Sequence, residues 1–285
     1  MKITSEQLET LISELSKTKN IKTGVILRNF MLERFLERVS ISDYKNNFIL
    51  KGGMLIASMV GIDARSTMDM DAIIKGRTLS ESEINKIIES ILNIAIDDGV
   101  LFTLRDIKEI REEADYFGFR VSIEVVFNKI HHILKVDITT GDFVTPREIA
   151  YDFKLMFEDR SIGIMAYNLE TILAEKLETI ITRGVANTRM RDFYDIYILT
   201  RDSHIYSMNG IFNSDIFKAA LKRTVEARDT AKRMTNANNI IQMIENSLVM
   251  NNLWQRYQKK FTYAASVSWE MAIEALKKLV QILMN

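Results

Sequence analysis

The hydrophobic pattern changes character along the chain. In the first half, stretches with an apolar residue every three or four positions alternate with short runs rich in β-branched and aromatic residues, the patterns of helices and strands. The predicted helices cover residues 4–16, 22–39, 54–60 and 80–97, and the predicted strands cover 47–51, 68–74, 100–111, 116–127 and 131–139. Beyond Asn168 the strand pattern disappears, and helices are predicted over 169–183, 189–200 and most of 212–283.

This order of elements predicts an α+β fold with a mixed β-sheet, followed by an α-helical part. We assign residues 1–160 to a first domain and residues 161–285 to a second. No proline- or glycine-rich linker separates the two.

The composition excludes several kinds of site. Cysteine is absent, so disulfides and thiolate metal sites are excluded. No run of about 18 apolar residues appears, so no membrane span is expected. The first seven residues are charged and polar where a signal peptide would need an apolar stretch. A cytoplasmic protein is the expectation.

The charges are distributed unevenly although the formal net charge is zero. Residues 216–285 contain 11 basic and 5 acidic residues, which leaves the rest of the chain acidic. An acidic front suits divalent metal binding and a basic rear suits a phosphate-rich partner, but scattered charges on solvated helices explain the counts equally well. The aromatic residues of the rear (Trp254, Tyr257, Phe261, Tyr263 and Trp269) suit base stacking, and more commonly such residues pack helices together.

Three features of the first half suggest chemistry. The turn Lys51-Gly52-Gly53 lies between a predicted strand and a predicted helix, where backbone N–H groups can approach a phosphate. In Asp69-Met70-Asp71, a strand would point both carboxylates to one side, and a divalent cation commonly compensates such a pair. Arg65, Ser66 and Thr67 lie just upstream, and side chains of these types can bind phosphate groups.

The third feature is Asp137, an acid with apolar neighbours inside a predicted strand. A two-metal phosphoryl-transfer site needs one carboxylate beside the attacking hydroxyl. Two alternatives stay open at this point. Asp137 could simply pair with Lys135 or Arg120, and Glu124 in the preceding strand is a rival for the third position.

The ordered set resembles the polymerase β-type nucleotidyltransferase superfamily, in which a Gly-Gly turn precedes a strand with Asp-x-Asp and a later strand with one Asp. Within it, the chain resembles the AbiEii/AbiGii toxin family, which includes MenT-like toxins, over residues 25–200. The motifs are Phe30 to Gly53, Leu173-Ala174-Glu175-Lys176-Leu177 and Arg189-Met190-Arg191-Asp192-Phe193-Tyr194-Asp195-Ile196-Tyr197. Gly53 replaces the serine usual in the superfamily, and the gap to Asp69 is longer, a departure that separates the chain more from polymerases than from the toxins.

The resemblance implies a set of site residues. Asp69, Asp71 and Asp137 would be catalytic and would hold two Mg²⁺ ions. The residues implied to bind the nucleoside triphosphate are Lys51, Gly52, Gly53, Arg65, Ser66, Thr67 and Arg191. The functional lysine and aspartate of the family match Lys176 and Asp192. A lattice of surface ion pairs, Glu175 with Arg191 and Arg191 with Asp195, is the alternative for this helical segment.

The resemblance also implies a function. We expect the toxin of a toxin–antitoxin system, linked to abortive phage infection, that transfers a nucleoside monophosphate from a triphosphate to the 3′ end of tRNA. A cognate antitoxin would be encoded nearby, and its direct binding is left open. Two alternatives remain: a nucleotidyltransferase that modifies small molecules such as antibiotics, and a non-catalytic GTP-binding protein that arrests growth.

Overall fold

The computed structural model describes residues 4–78, 80–112, 116–139, 143–201 and 212–283, and in these ranges seven strands form one sheet. The strands are β1 (Phe48–Lys51), β2 (Met70–Ile74), β3 (Val100–Glu112), β4 (Tyr116–Phe127), β5 (Ile130–Thr139), β6 (Ile149–Lys154) and β7 (Ser161–Ala166). Their order across the sheet is β3-β4-β5-β2-β1-β7-β6. β2 is parallel to β5 and β1 is parallel to β7, while the other neighbours are antiparallel, so the sheet is mixed as predicted.

Four helices accompany the sheet in the described part of this unit: α1 (Ser5–Lys19), α2 (Thr23–Ile41), α3 (Gly52–Val60) and α4 (Glu81–Leu92). Thr4 and Gln7 cap α1 reciprocally, which confirms the predicted helix start. The helix predicted to reach residue 97 ends at Leu92. The reason lies in Asp98, whose carboxylate accepts the N–H of Val100 and two hydrogen bonds from Arg38, an arrangement that needs a turn.

Strict alternation gives the sheet two different faces. In β4 the buried positions are Phe119, Val121, Ile123, Val125 and Phe127. The residues between them, such as Arg120 and Glu124, are half-exposed. Because successive side chains of a strand point to opposite faces, one face of the sheet forms the core and the other carries the polar residues.

The hairpin of β6 and β7 was not predicted from the sequence. Each strand has only six residues, and β7 contains Gly163, which weakens the strand pattern. β7 lies parallel to β1, with Ile49 opposite Met165 and Leu50 opposite Ala166. The chain divides into two compact units after Tyr167, and residues 143–147 group with the second. The pairing with β1 places β7 in the first unit, beyond the boundary assigned at residue 160.

Helix α2 is buried over almost its whole circumference, whereas the sequence pattern predicted one apolar face. Its charged residues Glu33, Arg34, Glu37 and Arg38 are all less than a tenth exposed. All but Glu33 form ion pairs inside the unit, among them Arg38 with Asp98 at 2.7 Å and Arg34 with Glu158 at 2.7 Å. Buried charges are tolerated only when they are paired, and these pairs fix the position of α2 under the sheet.

The second unit is helical in its described residues. Its α-helices are α5 (Leu169–Arg183), α6 (Met190–Arg201), α7 (Ser214–Ala227), α8 (Ala231–Met234), α9 (Ala237–Glu245), α10 (Leu248–Lys260) and α11 (Trp269–Ile282). Trp254 and Trp269 are buried with ring centroids 5.7 Å apart, so for these two the packing role holds. Among the described helices, none combines the length and the apolar composition that a membrane crossing requires.

A pH-dependent contribution to stability is expected from Glu33. Burial raises the pKa of this carboxyl group from 4.5 to about 8, although the N–H of Met156 donates to it at 3.0 Å. The folded protein therefore keeps a proton that the unfolded chain loses near pH 4.5. The stabilisation is complete below that pH and is lost as the pH rises through 8.

Glu33→Gln keeps the acceptor for Met156 but cannot ionise. We expect the free energy of unfolding of the wild type to fall relative to this variant between pH 5 and 8, by up to about 1.4 kcal/mol per pH unit. Urea unfolding at four pH values measures the difference. The exposed Glu14→Gln is the control, and a Glu33→Gln difference that does not change with pH would contradict the expectation.

Candidate active site

Four charged residues form one row across four neighbouring strands. Arg120 in β4 is opposite Asp137 in β5, Asp137 is opposite Asp71 in β2, and Asp71 is opposite Lys51 in β1. Residues directly opposite each other in a sheet have their side chains on the same face. The row therefore brings two of the three predicted aspartates side by side, with a cation at each end.

Arg120 holds Asp137 through both carboxylate oxygens. Its Nε donates to Oδ1 at 2.8 Å and its Nη2 donates to Oδ2 at 2.7 Å, a bidentate pair. The hydrogen bonds to Asp137 raise the pKa of Arg120 most, and the charges of Asp137, Asp69 and Asp71 add to the shift. All three predicted aspartates thus lie close enough to act on a single guanidinium group.

From the sequence, Arg120 was proposed only as a possible surface partner of Asp137. The structure makes Arg120 a central residue of the site. The signal that could have found it is the alternation of β4, which places this cation on the polar face. The registers of β4 against β5 and of β5 against β2 were needed to show that it reaches the aspartates.

Asp69 does not lie in a strand. β2 begins at Met70, two residues later than predicted, and the exposed Asp69 lies in a bend immediately before it. Its carbonyl oxygen accepts the hydroxyl of Thr67 at 3.2 Å. The prediction that Asp69 lies in the strand is therefore wrong, because its backbone belongs to the preceding loop. That its carboxylate lies on the same side as that of Asp71 stays a prediction.

Glu124, the rival for the third position, lies on the same face of β4 but four residues beyond Arg120. At about 3.3 Å per residue, this separation is about 13 Å along the strand. Glu124 pairs with Arg105, whose hydrogen bond lowers the pKa of the carboxyl group. The geometry therefore favours Asp137 over Glu124 as the third acid.

The donor set suits Mg²⁺ chemically, since this ion binds carboxylate oxygens. Both oxygens of Asp137, however, are engaged by Arg120. In the part of the chain that the structure describes, no group of three or more Asp, Glu or His residues is arranged to hold a metal ion. Asp137 would join Asp69 and Asp71 around an ion through the lone pairs that these two hydrogen bonds leave free.

The glycine turn is packed tightly against Asp71. Gly52 opens α3 with a φ of 69°, in the left-handed region. A Cβ atom at this position would lie 2.1 Å from Oδ2 of Asp71. At Gly53 a Cβ would lie 2.7 Å from Oγ1 of Thr67 and 3.0 Å from Nη1 of Arg65. The missing side chains let the helix start approach the carboxylate row.

The loop before β2 is held by buried polar side chains. Arg65 is 2% exposed and donates from Nη1 to the carbonyl of Ser66 at 2.8 Å. Asn29 in α2 donates to the carbonyl of Thr67 at 3.0 Å. The sequence offered no signal for Asn29, because only the fold brings α2 to this loop. Arg65 and Thr67 therefore shape the loop around Gly53, and Ser66 is half-exposed between them.

A second cluster of charges lies inside the helical unit. Nζ of Lys176 in α5 is 3.0 Å from Oδ1 of Asp192 and 2.7 Å from Oδ2 of Asp195, both in α6. Arg189 contacts the other oxygen of Asp192 at 2.7 Å. Asp192 and Asp195 are buried, so this network joins α5 to α6 and orients Lys176.

The predicted ion pair of Arg191 with Asp195 is wrong, and so is its pair with Glu175. Arg191 makes no ion pair with a carboxylate of the described residues, because Asp195 turns inward to Lys176. The guanidinium carbon of Arg191 instead lies 5.3 Å from the ring centroid of Phe261.

Comparison with known proteins gives one match that spans most of the chain. A family model described as the nucleotidyl transferase AbiEii toxin of a type IV toxin–antitoxin system matches residues 34–275. A search of curated proteins finds no match.

Two solved structures align with nearly the whole chain. MenT4, a nucleotidyltransferase toxin from Mycobacterium tuberculosis, is 13% identical with a TM-score of 0.52, and the alignment covers 95% of this chain and 98% of that chain. JHP933 from Helicobacter pylori is 16% identical with a TM-score of 0.49, with 92% and 95% covered. The likeness to MenT4 is one of fold, and it confirms the predicted fold class.

Gly52→Ala is expected to lower the free energy of unfolding by about 2 kcal/mol. The left-handed backbone disfavours a side chain, and the new methyl group would overlap Asp71. The matched control is Gly24→Ala in α2, where nothing lies within 4 Å and alanine favours the helix by about 0.8 kcal/mol. Denaturant unfolding of both variants measures the effects. Equal shifts would show that Gly52 is under no constraint.

Lys176→Met is expected to cost about 3 kcal/mol of unfolding free energy, since it leaves two buried carboxylates without their shared cation. Adding Asp195→Asn should cost less than the sum of the two single changes. The control is Lys277→Met, whose partner Glu245 is two-fifths exposed, and there the loss should stay below about 1 kcal/mol. Thermal and urea unfolding check the cycle, and additive effects would contradict the coupling.

Proposed function

The chain belongs to the AbiEii family of nucleotidyl transferase toxins from type IV toxin–antitoxin systems, and on this premise we propose that it transfers a nucleoside monophosphate from a triphosphate to the 3′ end of a tRNA. Membership agrees with the resemblance seen in the sequence. The protein is a toxin nucleotidyltransferase, and the family implies a cognate antitoxin. The triphosphate, the tRNA acceptor and the dependence on Mg²⁺ are our proposal.

The observation that supports this reaction most strongly is the parallel pairing of β2 with β5. It sets Asp71 directly beside Asp137, with Asp69 in the bend immediately before β2. The three acids outnumber the two cations of the row, Arg120 and Lys51, which leaves a net negative charge on this part of the sheet surface. Such a surface attracts a divalent cation and, through it, a triphosphate.

We assign Asp69 and Asp71 to hold Mg²⁺, with Asp137 as the third carboxylate. When bound, the ion neutralises charge that develops on the α-phosphate. In the reaction, the acceptor hydroxyl oxygen bonds to the α-phosphorus, the bond to the bridging oxygen breaks, and pyrophosphate leaves. Asp137 accepts the hydroxyl proton on a carboxylate oxygen. The hydrogen bonds from Arg120 position this carboxylate.

The triphosphate would lie over the turn between β1 and α3. The first turn of α3 has no side-chain cap competing for its N–H groups, so these groups are available to a phosphate chain. Lys51 begins this turn, with Nζ 5.8 Å from the ring centroid of Tyr167. Arg65, Ser66 and Thr67 support the turn from the opposite side. In this assignment the backbone supplies most of the phosphate contacts.

For Lys176 and Asp192 the catalytic roles implied by the resemblance stay predictions. Their geometry supports a positioning role for Asp192, which together with Asp195 fixes the ammonium group of Lys176. The role of Arg191 in binding the nucleotide is likewise a proposal that rests on the family motif.

Asp71→Asn is expected to reduce nucleotide transfer by at least about a hundredfold while the fold is kept, because it removes one charge from the row at nearly constant volume. The purified protein is incubated with Mg²⁺, total tRNA and each α-³²P-labelled nucleoside triphosphate in turn. Label on RNA identifies the nucleotide and the acceptor. Asp69→Ala and Asp137→Asn should behave like Asp71→Asn.

The matched control is Asp43→Asn, an exposed aspartate of the same unit whose loss should leave transfer unchanged. A rate of nucleotide transfer in Asp71→Asn equal to that of the wild type would overturn the assignment. Label on a small amine instead of RNA would favour the small-molecule alternative. Growth arrest that persists in Asp69→Ala, with nucleotide binding intact and no transfer, would favour a protein that acts by binding alone.

A further inference from the structure

The helical unit carries an open pocket of about 480 Å³ between the start of α6 and the end of α10. Its charged and aromatic lining residues are Arg189, Arg191, Arg256, Lys260, Tyr257 and Phe261, together with Asp192. Four cations against one carboxylate make this a positively charged surface in a unit that contains a basic excess.

Most of this charge is not balanced locally. Arg189 pairs with Asp192 at 2.7 Å. Arg191, Arg256 and Lys260, in contrast, have no ion pair with any carboxylate in the described ranges, and Arg256 and Lys260 are exposed. Uncompensated cations that converge on one concavity raise the local concentration of anions. The pocket therefore suits an anionic ligand.

Phe261 indicates more closely which class of ligand the pocket binds. The ring of Phe261 is half-exposed, with the guanidinium carbon of Arg191 at 5.3 Å and Nζ of Lys260 at 5.4 Å from its centroid. Tyr257 lies behind it at a centroid distance of 4.8 Å and is buried, so it supports the ring. An inorganic anion would use the cations alone. A ligand that uses both carries phosphate together with a flat aromatic group, as each unit of a nucleic-acid strand does.

We infer that this pocket binds a single-stranded segment of nucleic acid, with one base stacked on Phe261 and the flanking phosphates held by Arg256 and Lys260. Unpaired bases stack on aromatic side chains while basic residues follow the backbone, which is the chemistry this lining offers. The assignment of the strand as the acceptor rests on the proposed function, and the binding itself does not.

The test is a titration of the whole protein against a fluorescently labelled, unstructured RNA of about 12 nucleotides, followed by anisotropy between 50 and 200 mM salt. No nucleoside triphosphate is present. Arg256→Gln combined with Lys260→Gln should weaken binding at least about tenfold at the lower salt concentration. It should also reduce the slope of log K against log salt by about 1.4, the value for two lost phosphate contacts with a single strand.

The matched control combines Lys232→Gln with Arg233→Gln, two exposed cations of the same unit on α8. This pair should leave the affinity and the slope unchanged. Phe261→Leu, which keeps an apolar side chain but removes the ring, should weaken binding about tenfold with no change in slope. Urea unfolding of each variant verifies that the fold is retained.

If both double variants lost the same amount of RNA affinity, the attraction would be diffuse over the basic unit. That result would overturn the assignment of RNA binding to the pocket. The inference would also be overturned if the Arg256→Gln and Lys260→Gln changes weakened the binding of a free nucleotide but left RNA binding unchanged. The outcome is separable from that of the proposed function. Asp71→Asn should bind RNA like the wild type, and weaker RNA binding by the pocket variants supports the inference even if no label is ever transferred.

Discussion

The candidate site depends on the parallel pairing of β2 with β5. In β4 every second residue is buried, and the strand registers place Asp137 and Asp71 on the face that carries Arg120. The register then decides that they are neighbours and not merely on the same surface. A shift of one residue would turn either acid into the core, where an unpaired carboxylate is not tolerated. The core and the chemistry are thus fixed by the same pairing.

Electrostatic compensation within that row explains the rest of the site. Two adjacent carboxylates repel each other, and Arg120 on one side and Lys51 on the other reduce the cost. Arg120 performs two tasks that oppose each other, since it stabilises the Asp137 carboxylate and offsets part of the negative charge that attracts a metal ion. A similar balance holds in the helical unit, where one lysine is shared by two buried aspartates. Both clusters concentrate charge where the surrounding side chains hold it in one geometry.

Local features of this fold could be read from the sequence, and features that depend on distant pairing could not. The start of α1 near Thr4 and the bounds of β4 depend on local sequence, and both were predicted correctly. The Gly-Gly turn and the acids Asp71 and Asp137 were identified as candidates, because residue type and order along the chain are visible in a sequence. Strand register, the approach of Asn29 to the loop and the burial of the charged side chains of α2 are tertiary properties. The hairpin of β6 and β7 was missed for the same reason, since β7 becomes a strand by pairing with β1.

The place of β7 inside the sheet has a practical consequence for dissecting this protein. β7 closes the outer side of β1, the strand that leads into the Gly-Gly turn. A fragment ending at residue 160 would strip β1 of this neighbour and expose a row of unsatisfied backbone groups, the kind of edge that recruits other chains into aggregates. A fragment that continues through Tyr167 keeps the sheet intact. The smallest fragment that contains the whole sheet therefore extends to Tyr167, past the last strand that the sequence pattern predicted.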